Sequence, residues 1–210
     1  MSNTLSKTTF RDALKVPYVE DGMAIGLFGG SFNPPHQGHV HVVTTALKRL
    51  QLDRVWWMVS PGNPLKDHSK LGDLKSRFEL SFGMVKNPRV DVTGLEKTLG
   101  TKYSADLVDY LTTRYPSVRF IWIMGADNLT HFHKWERWEE IVAKIPVAVI
   151  DRPGDTLSTR SSRMARKYMH MRVDETDASC LKNVKAPAWT FLHAPRSHLS
   201  STKLRAETNN

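Results

Sequence analysis

The chain alternates short runs of consecutive apolar residues with segments in which apolar residues recur every three or four positions. Residues 23–28 form the first run and are closed by Gly29 and Gly30, a pattern that predicts a buried parallel strand entering a tight turn. Val40, Val43, Ala46, Leu47 and Leu50 then fall at helical spacing, so a helix is expected over about residues 37–50. Residues 54–60 read as a second strand, broken by Pro61 and Pro64. Asp73 is placed to cap a helix carrying Leu74, Phe78, Phe82 and Val85, and residues 89–92 make a short third strand. A helix over 104–110, the strongest strand of the chain over 118–124, a helix over 135–144 and a strand over 146–150 follow, with a turn at Arg152-Pro-Gly-Asp155. Strands and helices of these lengths in alternation predict an α/β fold, a parallel sheet with helices on both faces.

Residues 1–22 are polar with little periodicity and are expected to form a flexible N-terminal tail, leaving 23–210 as a single domain. A chain of 210 residues, 40% of them hydrophobic, suffices for one substantial core and is short for two. In parallel sheets of this kind ligands sit beyond the carboxyl ends of the strands, where the strand order reverses. The residues expected there are GGSFNPPHQGH, PGNPLK, GADN and DRPGD, which are more polar and glycine-rich than core packing requires.

Charge narrows the partner. With 30 Lys+Arg against 21 Asp+Glu, the formal charge of +9 favours a polyanion. The densest basic run holds Arg160, Arg163, Arg166, Lys167 and Arg172, and it reads either as a nucleic-acid face or as a solvated helix face. Only Tyr168 interleaves with these residues, so the stacking platform of a single-strand binder is missing. Cys180 is the one cysteine, which excludes a disulfide framework and a cysteine-rich metal site and suits a cytoplasmic setting. The first residues lack the apolar core of a signal peptide, and no run approaches the ~18 apolar residues of a membrane span.

The loop after the first strand carries the most chemistry. Two glycines permit close backbone approach to a phosphate, and the helix start beyond them presents unpaired N–H groups. His36 and His39 are three apart at that start, so both imidazoles can donate to one polyphosphate. The glycine spacing is not that of G-x-G-x-x-G, and the Gly-Lys-Ser/Thr ending of a P-loop is absent. A zinc site of His36, His39 and His41 is disfavoured because His36 and His41 face different sides of a helix. Two surface histidines in a proline-rich loop remain the plain alternative. Asp127, after the 118–124 strand, can accept from a ribose diol or cap a helix.

Residues 28–39, FGGSFNPPHQGH, resemble the (H/T)xGH signature of the nucleotidyltransferase superfamily, and residues 199–205, LSSTKLR, resemble its ISSTxxR partner. GADNLTHFHKWERWEEI (125–141) and DRPG (151–154) are similar to the bacterial nicotinate-mononucleotide adenylyltransferases in particular. The likeness spans about residues 26–205. It implies a single Rossmann-like domain with a doubly wound parallel sheet. It also implies adenylyl transfer from ATP to nicotinate mononucleotide, with Mg²⁺ delivered on ATP and no metal held by the protein. By this resemblance His36, His39, Lys66 and Arg205 are the catalytic donors. Gly29, Gly30, Ser31, Phe32, Asp127, Ser201 and Thr202 join His36, His39 and Arg205 around ATP. Tyr103, Ser104 and Trp135 would hold the mononucleotide, Trp135 by stacking on the pyridine ring, with core packing as its alternative. Trp138 is expected in the core by helical phase. Nicotinamide mononucleotide or phosphopantetheine are alternative acceptors, since the phosphate loops are common to all three; a basic nucleic-acid-binding module is the alternative of another class. The sequence stops at Asn210, close behind Arg205, so the last helix is expected to be short.

Overall fold

The computed structural model describes residues 10–62, 71–151 and 162–193. Its strands are β1 (Ala24–Gly30), β2 (Arg54–Val59), β3 (Val90–Thr93), β4 (Arg119–Gly125), β5 (Val147–Ile150), β6 (Arg172–Val173) and β7 (Trp189–Leu192). They form one seven-stranded sheet in the order β3-β2-β1-β4-β5-β7-β6, and every pair is parallel. The chain winds outward from β1 to β3, returns to place β4 against the other side of β1, and winds outward again. This is the doubly wound parallel arrangement, and its switch point lies between β1 and β4.

The helices are α1 (Gln37–Arg49), α2 (Leu74–Met84), α3 (Leu95–Leu99), α4 (Ser104–Arg114), α5 (Ala126–Phe132), α6 (Trp138–Lys144) and α7 (Arg163–Lys167), with a longer 3-10 segment at Glu175–Asn183. Most residues of β1, β2, β4, β5 and β7 are buried on both faces, which is why the runs read as continuously apolar. Ile25, Leu27, Trp56 and Trp122 pack on one side with α4 and α6; Phe28, Trp57, Ile121 and Ile123 pack on the other with α1 and Phe78 of α2. Among the described residues no helix is long and apolar enough to cross a membrane.

Gly26 lies at the centre of this packing. A Cβ there would overlap the Ile123 Cδ1 methyl and stand 2.8 Å from Leu52 Cδ1 and 3.2 Å from Val55 Cγ2. Overpacking of this kind typically costs about 1–3 kcal/mol, so Gly26→Ala is expected to lower Tm by about 3–10 °C. An unchanged Tm in a thermal unfolding scan would show that Ile123 can swing aside.

Three expectations are revised. Residues 10–22 were read as part of a tail, yet the packed chain begins by Phe10. The Phe10 ring lies against Phe78, Ala13 is buried, and its carbonyl accepts from Thr93 Oγ1 (2.8 Å) and Gly94 N (2.9 Å). This segment contributes through backbone bonds to residues far along the chain, which periodicity does not register. The helix expected from 135 starts at Trp138 instead, because Arg137 adopts a left-handed conformation (φ 55) and α5 has already ended. Finally, β6 and β7 extend the sheet beyond the last strand that the sequence pattern showed.

Candidate active site

The loop from β1 to α1 is built by its own side chains. His36 is the N-cap of α1 and only 3% exposed; its Nδ1 accepts from Gly38 N at 3.1 Å. His39, three residues on, returns the contact: its Nδ1 accepts from His36 N at 3.1 Å. This is a capping box made from two histidines. The rings stack with centroids 3.7 Å apart and planes 28° apart. A backbone N–H can only donate, so each Nδ1 is an acceptor and each ring carries its proton on Nε2. The fold thereby sets one Nε2–H donor on each ring of the stacked pair, in the loop that leaves β1.

Phe32 holds the loop from below. It is buried between Phe28, Trp57 and His39, with ring centroids 5.3, 4.8 and 4.9 Å away respectively. Its positive φ of 46 is unusual for a bulky residue and is kept by that packing. The Phe32 ring also fills the space a Cβ would need at Gly30, where the nearest atom would be 2.9 Å away, and Trp122 does the same at Gly29 at 3.3 Å. The glycines are therefore required by the loop's own packing. This packing demand stands beside the close backbone approach to a phosphate that the sequence suggested.

Asp127 lies at the end of β4, the strand beside β1. It is exposed in the first turn of α5, whose N-cap is Gly125, so the capping alternative does not apply. Tyr103, 38% exposed, precedes α4, and Ser104 opens that helix half-buried. Trp135 stands in the turn between α5 and α6, half-buried, edge-on to Trp122 (6.0 Å) and Phe132 (5.3 Å). Trp138 is in the core, as its phase indicated. Lys66, Ser201, Thr202 and Arg205 lie outside the described residues. Among the described residues no group of three His, Cys, Asp or Glu is placed to hold a metal ion.

Two arginines had no signal in the sequence pattern. Arg137 donates from Nη1 to Asp106 on α4 (2.5 Å) and through Nε and Nη2 to Glu140 (2.9 and 2.7 Å). Those bonds hold the left-handed turn and tie the Trp135 segment to the helix opened by Ser104; they also hold the Glu140 carboxyl below the usual carboxylate range. Arg77, 2% exposed, donates to four backbone carbonyls: Gly72 (2.7 Å), Ser31 (2.6 Å), Ser60 (2.8 Å) and Pro61 (3.1 Å). Burial lowers its pKa, and the nearby charge of Asp73 opposes that shift. Asp151, at the end of β5, is 5% exposed, and among the described residues no donor reaches its Oδ1.

The basic run that allowed a nucleic-acid reading is now placed in part. Met164 and Ala165 of α7 are buried while Arg163, Arg166 and Lys167 face solvent, and Lys167 pairs with Glu139 at 2.7 Å. Lys167 is thereby partly neutralised, and Arg163 and Arg166 stand on the exposed side of the helix.

A doubly wound parallel sheet with a polar, histidine-bearing loop at its switch point defines a Rossmann-like α/β protein, and comparison with known proteins narrows the class. Residues 27–207 match the cytidylyltransferase-like family, and the chain belongs to it. A protein of Rhizobium johnstonii named "probable nicotinate-nucleotide adenylyltransferase" is 56% identical over 190 residues, which cover 90% of this chain and 96% of the relative. A Brucella suis protein of the same name is 53% identical over 183 residues, covering 87% and 94%. Among solved structures, Plasmodium falciparum nicotinic acid mononucleotide adenylyltransferase complexed with NaAD superposes with a TM-score of 0.63 over 88% of this chain and 83% of that one. Its 17% identity makes this a likeness of fold.

Proposed function

We propose that this protein is a nicotinate-nucleotide adenylyltransferase of NAD biosynthesis, transferring the AMP moiety of ATP to nicotinate mononucleotide with release of pyrophosphate. The observation that carries the reading is the stacked pair His36 and His39, whose Nδ1 atoms are both engaged by backbone N–H groups. The strong identity to curated relatives bearing that activity in their names supports the choice of acceptor.

The reaction asks little of the protein beyond placement. A phosphate oxygen of the mononucleotide attacks the α-phosphorus of ATP, a P–O bond forms there, and the bond to the pyrophosphate oxygen breaks. The nucleophile is already anionic at neutral pH, so no general base is required. What must be supplied is alignment and donors for the charge that accumulates on the leaving pyrophosphate. The two Nε2–H groups supply such donors without reorganisation. The loop 29–39 contains no acid, so nothing in it repels the triphosphate. By resemblance Lys66, Ser201, Thr202 and Arg205 complete the phosphate grip, Gly29, Gly30, Ser31 and Phe32 offer backbone to ATP, and Asp127 accepts from its ribose. Tyr103, Ser104 and Trp135 take the mononucleotide. Mg²⁺ enters as part of the substrate, as MgATP; the donors of the loop are N–H groups suited to phosphate oxygens rather than to a cation. We place the reaction in the cytoplasm.

Acceptor choice tests this reading. A carboxylate and a carboxamide differ little in shape, so a pocket separates them by charge and by donor pattern. A site of N–H donors satisfies both carboxylate oxygens but leaves the amide NH₂ facing a donor, at a cost of about 1–3 kcal/mol. The acid is therefore expected to exceed the amide by about tenfold to a few hundredfold in kcat/KM. Equal values, or a preference for the amide, in side-by-side assays would overturn the choice of acceptor and leave adenylyl transfer standing.

A further inference from the structure

We propose that Arg77 is the positioning residue of the phosphate loop, a buried clasp that sets the backbone of Ser31 and Phe32 and locks it to both stems of the neighbouring 60–72 connection. The proposal rests on the reading of residues 29–39 as the ATP triphosphate site. Arg77 belongs to α2, which contributes no residue to that loop, yet its guanidinium reaches the Ser31 carbonyl at 2.6 Å. The same Nη1 donates to Ser60, Nη2 donates to Pro61, and Nε donates to Gly72. Ser60 and Pro61 enter the connection that leaves β2, and Gly72 is where it returns to α2. Lys66 lies between these two stems in the sequence. Two further bonds reinforce the same juncture: Ser60 N donates to Gly30 O at 2.9 Å, and Gly72 N donates to Asn33 Oδ1 at 3.2 Å.

The chemistry follows from peptide planarity. In a trans peptide the C=O of one residue and the N–H of the next point in opposite directions. Pinning the Ser31 carbonyl onto a buried guanidinium therefore turns the Phe32 N–H to the opposite side, as a fixed donor, and stabilises the left-handed Phe32 (φ 46) that shapes the loop. Only a planar fork can serve four carbonyls arriving from separate directions; an ammonium on a flexible stem cannot. Arg77 also brings a positive charge directly beneath the loop, and arginine stays protonated in protein interiors. Both effects act on ATP and not on the pyridine end of the acceptor.

The test is a comparison of wild type with Arg77→Lys and Asn33→Ala, measuring KM for ATP, KM for nicotinate mononucleotide, kcat and Tm. For Arg77→Lys, KM for ATP is expected to rise about tenfold to a hundredfold, the scale on which small misplacements of a binding group act, with KM for the mononucleotide within about threefold of wild type. Asn33→Ala, which removes the half-buried side chain that accepts from Gly72 N, is expected to move the same constant in the same direction by about three- to tenfold. A merely structural arginine would lower Tm and the active fraction without separating the two KM values. Equal shifts in both KM values overturn the proposal. If Arg77→Lys does not fold, Asn33→Ala decides: wild-type KM for ATP overturns the proposal, and a selective rise supports it. A wild-type protein that forms no dinucleotide overturns the reading of the site and this proposal with it, whereas an active wild type with unsplit variants overturns the proposal alone.

Discussion

His39→Ala is expected to lower kcat by about 10²–10³ with a smaller change in KM for ATP, the scale of losing one preorganised donor to developing charge. The structure adds a second consequence that the spacing of the histidines did not reveal. His39 also closes the capping box on His36 N and packs edge-on against Phe32, so the alanine variant should lose about 1 kcal/mol of stability as well. His39→Gln separates the two effects. Glutamine at this third helical position can return the hydrogen bond to the N-cap N–H, so Tm should stay near wild type while turnover falls. Steady-state kinetics at saturating ATP, with thermal unfolding of the same preparations, checks both. Near-normal turnover in His39→Ala would remove His39 from the mechanism.

His36 makes the complementary case. His36→Ala is expected to lose about 10²-fold in kcat and about 1 kcal/mol from the broken N-cap, a fall in Tm of about 2–4 °C. Asparagine is among the best N-cap residues and can accept from Gly38 N, but it places no donor where Nε2–H stands. His36→Asn should therefore recover the Tm and not the turnover. Recovery of both would mean that the ring at this position serves the helix start alone, and that phosphate contact comes from His39 with the other donors.

The histidine pair was legible in the sequence because everything that builds it is local. A strand, two glycines, and imidazoles three apart at a helix start lie within residues 23–39, and their relation follows from helix geometry. The strand and helix alternation was legible for the same reason, since strands buried on both faces read as apolar runs. Arg77 was not legible. It sits in a helix bearing Lys75 and Glu79 on its exposed side, where one more charged residue suggests another solvated position, and the carbonyls of Ser31 and Ser60 are 46 and 17 residues away. Arg137 escaped notice because a left-handed backbone at a non-glycine residue depends on Asp106, 31 residues earlier, holding its side chain. A second reason for Gly30 was also invisible, because the Phe32 ring that a Cβ there would meet is placed by a left-handed turn that no spacing rule encodes.

Sequence alone thus determined the α/β class, the glycine- and histidine-bearing loop between β1 and α1, and which of its residues carry N–H donors, all properties of short-range periodicity and side-chain chemistry. Tertiary structure decided that β4 returns beside β1 to create the switch point, that residues 10–22 close onto β3, and that a buried guanidinium gathers Ser31, Ser60, Pro61 and Gly72 into one rigid juncture. The division has a physical cause: backbone carbonyls are identical at every residue, so a side chain that bonds to them leaves no mark on the sequence of its partners, and only the folded chain shows which carbonyls it meets.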